Sequence, residues 1–585
     1  MNRFIAVCLL FAVIGCGGGS NSPESTLSAN VPPVISDPGN LAVAEGELAV
    51  TTISATGSNG NSLSYSLSGE DSALFAISNA GVLRFLQPAD YSAPADANRD
   101  NIYSFSVSVA DGEATSKLEV SVTVVKKLTD FEQGIFQDPS VYQNLCGNPR
   151  TGTDPFSGAA YPDKQGSFAD ENNWLRAISH DRYLWYDEIA DVDPNAYASS
   201  ANKVRDYFKL MKTLATTASG KFKDQHHSAF DSLNQKQFDR SGVKVGYGVK
   251  WAVLRNDPPR KVVVAFVETN SPASAVGLAR GAEIIAADGV DLVNGEDIDT
   301  LNNALNSVDT KRSHSFQVLD PGSTKPRKIT MTPAKITIDP VPHVDVIDTP
   351  SGPVGYLIFN EHITGAEQAL IDAVASLRDR NITDLILDLR YNEGGAWEMA
   401  SQVAYMIAGP NATSSQTFFF KQPNNKHPSI DPNTKETLEP VPFLTKASGK
   451  YSAAKDTAYP YLNLERVYVL TSNETCSASE TIINGLRGID IELFQFGGTT
   501  CGKPYAHYPW ENCGTTYLSI QYQIANAKGF GDYADGFSPS NLGSVTGKLV
   551  PGCAVDDDFS KALGDPSEAM LSAALAYRES PGTCP

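Results

Sequence analysis

Apolar and polar side chains alternate over most of Ile102-Tyr103-Ser104-Phe105-Ser106-Val107-Ser108-Val109, the period of a half-buried strand. Leu118-Glu119-Val120-Ser121-Val122-Thr123-Val124 repeats the pattern. Clusters of Gly, Asn, Asp and Ser separate such runs, so residues 34–126 predict an all-β sandwich. The pattern then changes. Trp174-Leu175 with Ile178, Tyr183-Leu184-Trp185-Tyr186 and Arg205-Asp206-Tyr207-Phe208-Lys209-Leu210-Met211 are aromatic-rich and amphipathic, which predicts a helical connector over 127–239 that caps the segments after it. From Val354 onward strands and helices alternate. Val354-Gly355-Tyr356-Leu357-Ile358-Phe359, Leu385-Ile386-Leu387-Asp388-Leu389 and Val467-Tyr468-Val469-Leu470 read as buried strands. Leu370, Val374 and Leu377 mark a helix face, and Ser477 to Leu486 a further helix. Such alternation implies parallel pairing, an α/β domain over 336–585.

The N-terminus breaks the globular pattern. Met1-Asn2-Arg3 is followed by an apolar run of 11 residues, 4–14, too short to span a bilayer. It ends in Val13-Ile14-Gly15-Cys16, which resembles a bacterial lipoprotein signal. That resemblance implies cleavage and lipidation at Cys16, with residues 1–16 as signal and 17–33 as linker. It implies a lipid anchor in the cell envelope, in the outer membrane if the host has two. No later segment is long and apolar enough to cross a membrane. The 585 residues suggest about three or four domains. The net charge of -21 argues against a nucleic-acid partner, since phosphate binding needs clustered Lys and Arg. Of eight cysteines, six lie beyond the signal: Cys146, Cys476, Cys501, Cys513, Cys553 and Cys584. In an exported chain they predict disulfides rather than a metal site, because no CxxC pair or His/Cys cluster occurs.

Two modules carry resemblances of their own. Ser64-Tyr65-Ser66-Leu67-Ser68-Gly69-Glu70-Asp71, Ala89-Asp90-Tyr91 and Asp111-Gly112 resemble a cadherin-like repeat. The resemblance makes Glu45, Asp96, Asp100 and Asp111 candidate calcium ligands, with ordinary turn residues as the alternative. The loop before the Tyr65 strand, Gly57-Ser58-Asn59-Gly60-Asn61, lacks the expected carboxylates. Residues 240–335 resemble a PDZ domain. Gly246-Tyr247-Gly248-Val249 matches its peptide-receiving loop and strand, and Ser271-Pro272-Ala273-Ser274-Ala275-Val276-Gly277-Leu278 precedes Gly281-Ala282-Glu283-Ile284-Ile285-Ala286-Ala287-Asp288-Gly289. The resemblance implies capture of a peptide C-terminus on the main chain of Gly246, Tyr247, Gly248 and Val249, with strand addition along the edge.

Three short stretches carry the chemistry: Asp388-Leu389-Arg390-Tyr391-Asn392-Glu393-Gly394-Gly395 at a strand end, Thr475-Cys476-Ser477-Ala478-Ser479-Glu480 opening a helix, and Thr499-Thr500-Cys501-Gly502-Lys503 after the Leu493-Phe494-Gln495-Phe496 strand. In order and spacing they resemble the C-terminal-processing (tail-specific) serine peptidases over about residues 240–540. The resemblance implies Ser477 as nucleophile, Lys503 as general base, and an oxyanion hole from the N–H of Ala478 with one from Gly394 or Gly395. A Lys acts as base only when neutral, and burial favours that form. Ser479 is the rival nucleophile, Arg390 and Glu480 are candidate ion-pair partners, and His507 stands where the family commonly has Gln, as an orienting partner or a rival base. Ser477 and Lys503 are 26 positions apart, one more than close relatives show. A Cys501–Cys513 bridge would close the short loop after Lys503; Cys476–Cys501 is the alternative, since both flank the pair.

The architecture expected is therefore multidomain: cadherin-like all-β sandwich, helical connector, PDZ and an α/β peptidase domain of the tail-specific type. The expected function is an envelope-anchored serine endopeptidase acting on proteins or peptides, with no organic cofactor. The alternative is a non-catalytic envelope protein that binds through its PDZ and cadherin-like modules.

Overall fold

A computed structural model describes residues 32–39, 41–57, 62–126, 131–543 and 545–584. The signal, Cys16 and residues 58–61 of the loop before Tyr65 lie outside the described residues. The chain divides into two compact units, Met1–Lys127 and Leu128–Pro585.

In the first unit the alternation does what its period requires. Along Ile102–Ala110, Tyr103, Phe105, Val107 and Val109 turn inward. The strand joins a four-stranded sheet in the order Leu41–Ala44, Thr115–Val125, Ile102–Ala110, Ser64–Ser68. A three-stranded antiparallel sheet, Ala49–Thr52, Val82–Phe85 and Phe75–Ile77, supplies the other half of the core. Phe75 packs its ring 4.3 Å from Phe85 and 4.4 Å from Phe105. Three of the four candidate calcium ligands, the aspartates, cap their own loops. Asp96 accepts main-chain N–H from Asp100 and Asn101, Asp100 from Ile102, and Asp111 from Glu113 and Ala114.

The second unit is built on a six-stranded sheet in the order His343–Ile347, Val354–Ile358, Asp384–Asp388, Arg466–Thr471, Glu492–Gly497, Gly552–Cys553. The first pair is antiparallel and the rest are parallel. Asp384–Asp388 is buried throughout, as a central strand covered on both faces must be. Helices Ala366–Asp379, Trp397–Thr413 and Ala478–Gly488 pack Leu370, Val374, Val403, Ile482 and Leu486 on one face. The last helix, Ala569–Glu579, packs Met570, Leu571 and Ala574 on the other.

Residues 243–337 form a smaller β-rich module. Its strands run in the order Val249–Arg255, Lys261–Val267, Glu283–Ala287, His314–Leu319, Arg327–Met331, with helix Ile298–Leu305 closing the core of Val264, Ile284, Leu301 and Phe316. Val249–Arg255 lies at the edge of this sheet.

The connector is helical in Phe168–Arg182, Ala201–Phe208 and Ser232–Ser241, but it is more than a cap. Its strand Ser228–Asp231 pairs with Thr515–Leu518, deep in the C-terminal half. Cys146 is bonded to Cys513 on that same hairpin. The expected Cys501–Cys513 bridge is therefore corrected: Cys501 bonds Cys476, and Cys553 bonds Cys584. Cys501 N–H donates to Thr475 O, so two strand-end loops run side by side and bring the Cα atoms to 5.1 Å, within bridging reach. Cys513 turns at the hairpin tip, where Asn512 accepts from Asn144 N–H and Cys146 is 5.4 Å away, Cα to Cα.

Candidate active site

Three adjacent parallel strands, Asp384–Asp388, Arg466–Thr471 and Glu492–Gly497, end on the same side of the sheet. Their following loops carry Asn392 to Gly395, Cys476 to Ser477, and Cys501 to Lys503. Register alone thus gathers the three motifs, at the carboxyl ends of strands where α/β sheets place their sites.

Ser477 is the N-cap of helix Ala478–Gly488, at φ 55° and ψ −113°. A non-glycine residue there is strained, on the order of 1–3 kcal/mol, and persists only when its surroundings hold it. Glu480 provides much of that hold. It is fully buried, and its carboxylate accepts from Ser477 N–H (3.0 Å), Gly502 N–H (2.9 Å), Lys503 N–H (2.8 Å) and the Thr500 hydroxyl (2.5 Å). Glu480 is therefore a hydrogen-bond clamp between the helix start and the lysine loop, not an ion-pair partner. The Cys476–Cys501 bridge crosses the same gap.

Asn392 clamps the third loop. Its main-chain carbonyl accepts from Cys476 N–H (3.1 Å) and from the Ser479 hydroxyl (3.1 Å). Ser479 is fully buried and its hydroxyl committed, which removes it as the rival nucleophile. Asn392 Oδ1 accepts from Gly394 N–H (2.9 Å) and faces His362 Nδ1 (2.9 Å). Of the two glycines offered as oxyanion donors, Gly394 thus has its N–H engaged. Its own requirement is spatial: at φ 92°, a Cβ there would sit 2.8 Å from both Ala478 N and Ser477 Cβ. Gly395 forms an isolated parallel bridge with His362.

Arg390 does form ion pairs. Buried at 1% exposure, it bonds Asp388, Asp557 and Glu568, the last being the N-cap of helix Ala569–Glu579. This network anchors the strand end under the site, and Arg280 of the smaller module joins it at Asp557.

Lys503 is buried, and burial lowers its amine to about 8, against the opposing pull of Asp224 and Glu480. His507 follows the short strand Tyr505–Ala506. Burial, with positive charge at Lys503 and His226, pushes its imidazole down to about 3, and its Nδ1 has no hydrogen-bond partner among the described residues. A base that weak is a poor rival to the amine. Asp224 and His226 were not singled out in the sequence, yet they belong here. Asp224 is fully buried and accepts from the Tyr183 hydroxyl (2.8 Å) and His226 N–H (3.1 Å). The ring of His226 lies within 4.8 Å of the Cys476 and Cys501 sulfurs, and burial with the Lys503 charge lowers it to about 4. The two sulfurs are joined to each other, so the group is packing around the bridge rather than a thiolate metal site. The run Asp224-Gln225-His226-His227 was the available signal.

The loop Gly246 to Val249, expected from the sequence to receive a peptide, lies beside this centre. A cavity of about 330 Å³ is lined by Gly246 to Trp251, by Leu305 to Val308, and by Asn360, Glu361, Tyr391 and Glu393 from the central domain. Gly248, at φ 71°, has Ser271 Cβ 2.3 Å from where its own Cβ would stand, so only glycine fits. Tyr247 is buried and its hydroxyl donates to Ala304 O. Lys250 pairs with Glu393 (2.7 Å) and Glu474 (3.2 Å), the residues just before Gly394 and Thr475.

Residues 353–521 match the family described as peptidase family S41. The chain is 24% identical over 174 residues to carboxyl-terminal-processing peptidase 2, chloroplastic, of Arabidopsis thaliana, covering 28% of this chain and 33% of that one. It is 28% identical over 157 residues to a carboxyl-terminal-processing protease of Synechocystis, covering 27% and 36%. It therefore spans about a third of the length of these curated relatives. A crystal structure of an S41 protease from Bacteroides fragilis superposes with a TM-score of 0.50 at 21% identity, covering 72% of this chain and 98% of that one, which establishes a shared fold.

Proposed function

We propose that this chain, which belongs to the carboxyl-terminal-processing peptidases of family S41 through residues 353–521, is a serine endopeptidase working through Ser477 and Lys503. The observation that carries the reading is the clamp: Glu480 and the Cys476–Cys501 bridge hold a strained serine at a helix start beside the loop of a buried, easily neutralised lysine. In the neutral form, the Lys503 amine takes the Ser477 hydroxyl proton as Oγ attacks the peptide carbonyl. Negative charge develops on the carbonyl oxygen at the start of the helix, where the Ala478 N–H and the helix dipole favour it. The ammonium returns its proton to the leaving amine, and water then hydrolyses the acyl-enzyme with Lys503 again as base. His507 packs beside the amine and does not exchange its proton.

The module over 240–335 reads as a PDZ domain that presents substrate C-termini from the edge strand Val249–Arg255. Cys16 reads as the lipid-bearing residue of an envelope protein. Among the described residues no helix is long and apolar enough to cross a membrane. A fluorophosphonate probe and casein digestion test the activity. Wild type should label and cleave, Ser477→Ala should do neither, and a chain that binds peptides without labelling would be the non-catalytic alternative. Cys16→Ser should release the protein from the membrane fraction.

A further inference from the structure

We propose that the cavity between the 243–337 module and the central sheet holds a basic side chain of the substrate, recognised by Glu268 and Glu361. The proposal rests on the peptidase reading and names its substrate class: proteins with Lys or Arg a few residues before an apolar C-terminus.

The module side of the cavity is partly apolar, with Val249 and Trp251 from the edge strand and Leu305 and Val308 from the helix end. That surface suits a terminal aliphatic side chain. The remaining wall carries three carboxylates, Glu268, Glu361 and Glu393, against two cations, Lys244 and Lys250. Glu268 directly follows strand Lys261–Val267 and is 7% exposed; Glu361 follows strand Val354–Ile358 and is half-buried. Neither forms an ion pair among the described residues. Glu268 accepts only a 3.3 Å bond from Asp339 N–H. Lys250, which also lines the cavity, is held by Glu393 and Glu474. Lys244 also lines the cavity; it is exposed and its charge favours the ionised form of both carboxylates, but it forms no ion pair with either among the described residues. Burial and neighbouring carboxylates raise both groups, Glu268 to about 7. Two desolvated carboxylates without a paired cation are costly, and a substrate ammonium or guanidinium relieves that cost.

A second observation points to the same occupant. Asn360 lines the cavity at 4% exposure, and its Nδ2 has no hydrogen-bond partner among the described residues. A buried amide donor without an acceptor is rare in a folded chain. An extended peptide supplies the acceptor as a main-chain carbonyl, in the same cavity where its basic side chain meets Glu268 and Glu361.

The test uses the full chain carrying Ser477→Ala and labelled ten-residue peptides that share one apolar C-terminus. Lys, Gln or Glu is placed in turn three to six residues from the end, and binding is read by fluorescence anisotropy at pH 8. At one position the Lys peptide should bind roughly tenfold tighter than the Gln peptide, and the Glu peptide weaker still. Adding Glu268→Gln and Glu361→Gln, with folding checked by thermal denaturation, should bring the three within about twofold. Equal binding at every position, no binding of any peptide, or a preference that survives the double substitution overturns the proposal. The active chain separates this from the broader reading. Bound Lys peptide left uncleaved defeats the peptidase assignment alone, and cleavage indifferent to charge defeats the subsite alone.

Discussion

An amine with an ordinary value near 10.5 is held at about 8 at Lys503, chiefly by burial. Neutralising it at working pH is what the proposed base role requires, and the fold bears the cost. Because the folded value lies below the unfolded one, the unfolded chain binds more protons between about 8 and 10.5. Wild-type stability therefore rises with pH across that window, and below it the full cost of roughly 3 kcal/mol applies. Two outcomes follow. Turnover at subsaturating substrate should climb with pH through about 8 and level off above it. Lys503→Met should lose turnover yet resist urea better than wild type at pH 7, by about 1–3 kcal/mol, a gap that narrows as pH approaches 10. A rate profile rising near pH 4, where His226 titrates, would reassign the base. At this scale Ser477 and Lys503 were legible because their neighbours form motifs. Asp224 and His226 were not, because a lone Asp-x-His in a connecting segment has many ordinary explanations, and only tertiary contact puts it against Lys503.

Among the elements, helix Ala478–Gly488 is held at its first turn more tightly than an ordinary cap requires. Glu480 satisfies donors from two separate loops, so its loss leaves buried N–H groups of Gly502 and Lys503 unpaired. Glu480→Ala should cost roughly 2–4 kcal/mol in urea unfolding and lower kcat more than it raises KM, since it loosens the pair rather than the substrate groove. The adjacent bridge closes a separation of 25 residues. Replacing Cys476 and Cys501 together by Ser should cost about 3 kcal/mol by loop-closure entropy while leaving measurable turnover, because the clamp persists. Strand and helix alternation made this helix and its parallel strands readable in advance. The pairing of the cysteines was not, since six allow 15 arrangements and the choice depends on which strand ends lie side by side.

At the scale of the whole molecule, all the candidate catalytic groups fall in Leu128–Pro585, but they do not fall within a self-sufficient C-terminal half. The connector, read from sequence as a helical cap, shares a sheet with Thr515–Leu518 and a disulfide with Cys513. Arg150 and Lys236 reach Glu511, and Asp224 faces the lysine. These partners lie hundreds of residues apart, beyond any local pattern. Two truncations follow, and they should behave oppositely. A chain beginning at residue 128 lacks only the first unit and should fold, label with fluorophosphonate and cleave casein at a rate close to that of the full chain. A chain beginning at residue 240 keeps every motif of the family resemblance but loses the strand Ser228–Asp231, the Cys146 bridge and Asp224. It exposes the edge of Thr515–Leu518, an invitation to aggregate. It should be recovered mostly insoluble, and any soluble fraction should be inactive. If the shorter chain were soluble and as active as the longer, the connector would be a dispensable cover, and the environment that tunes Lys503 would have to be complete without it.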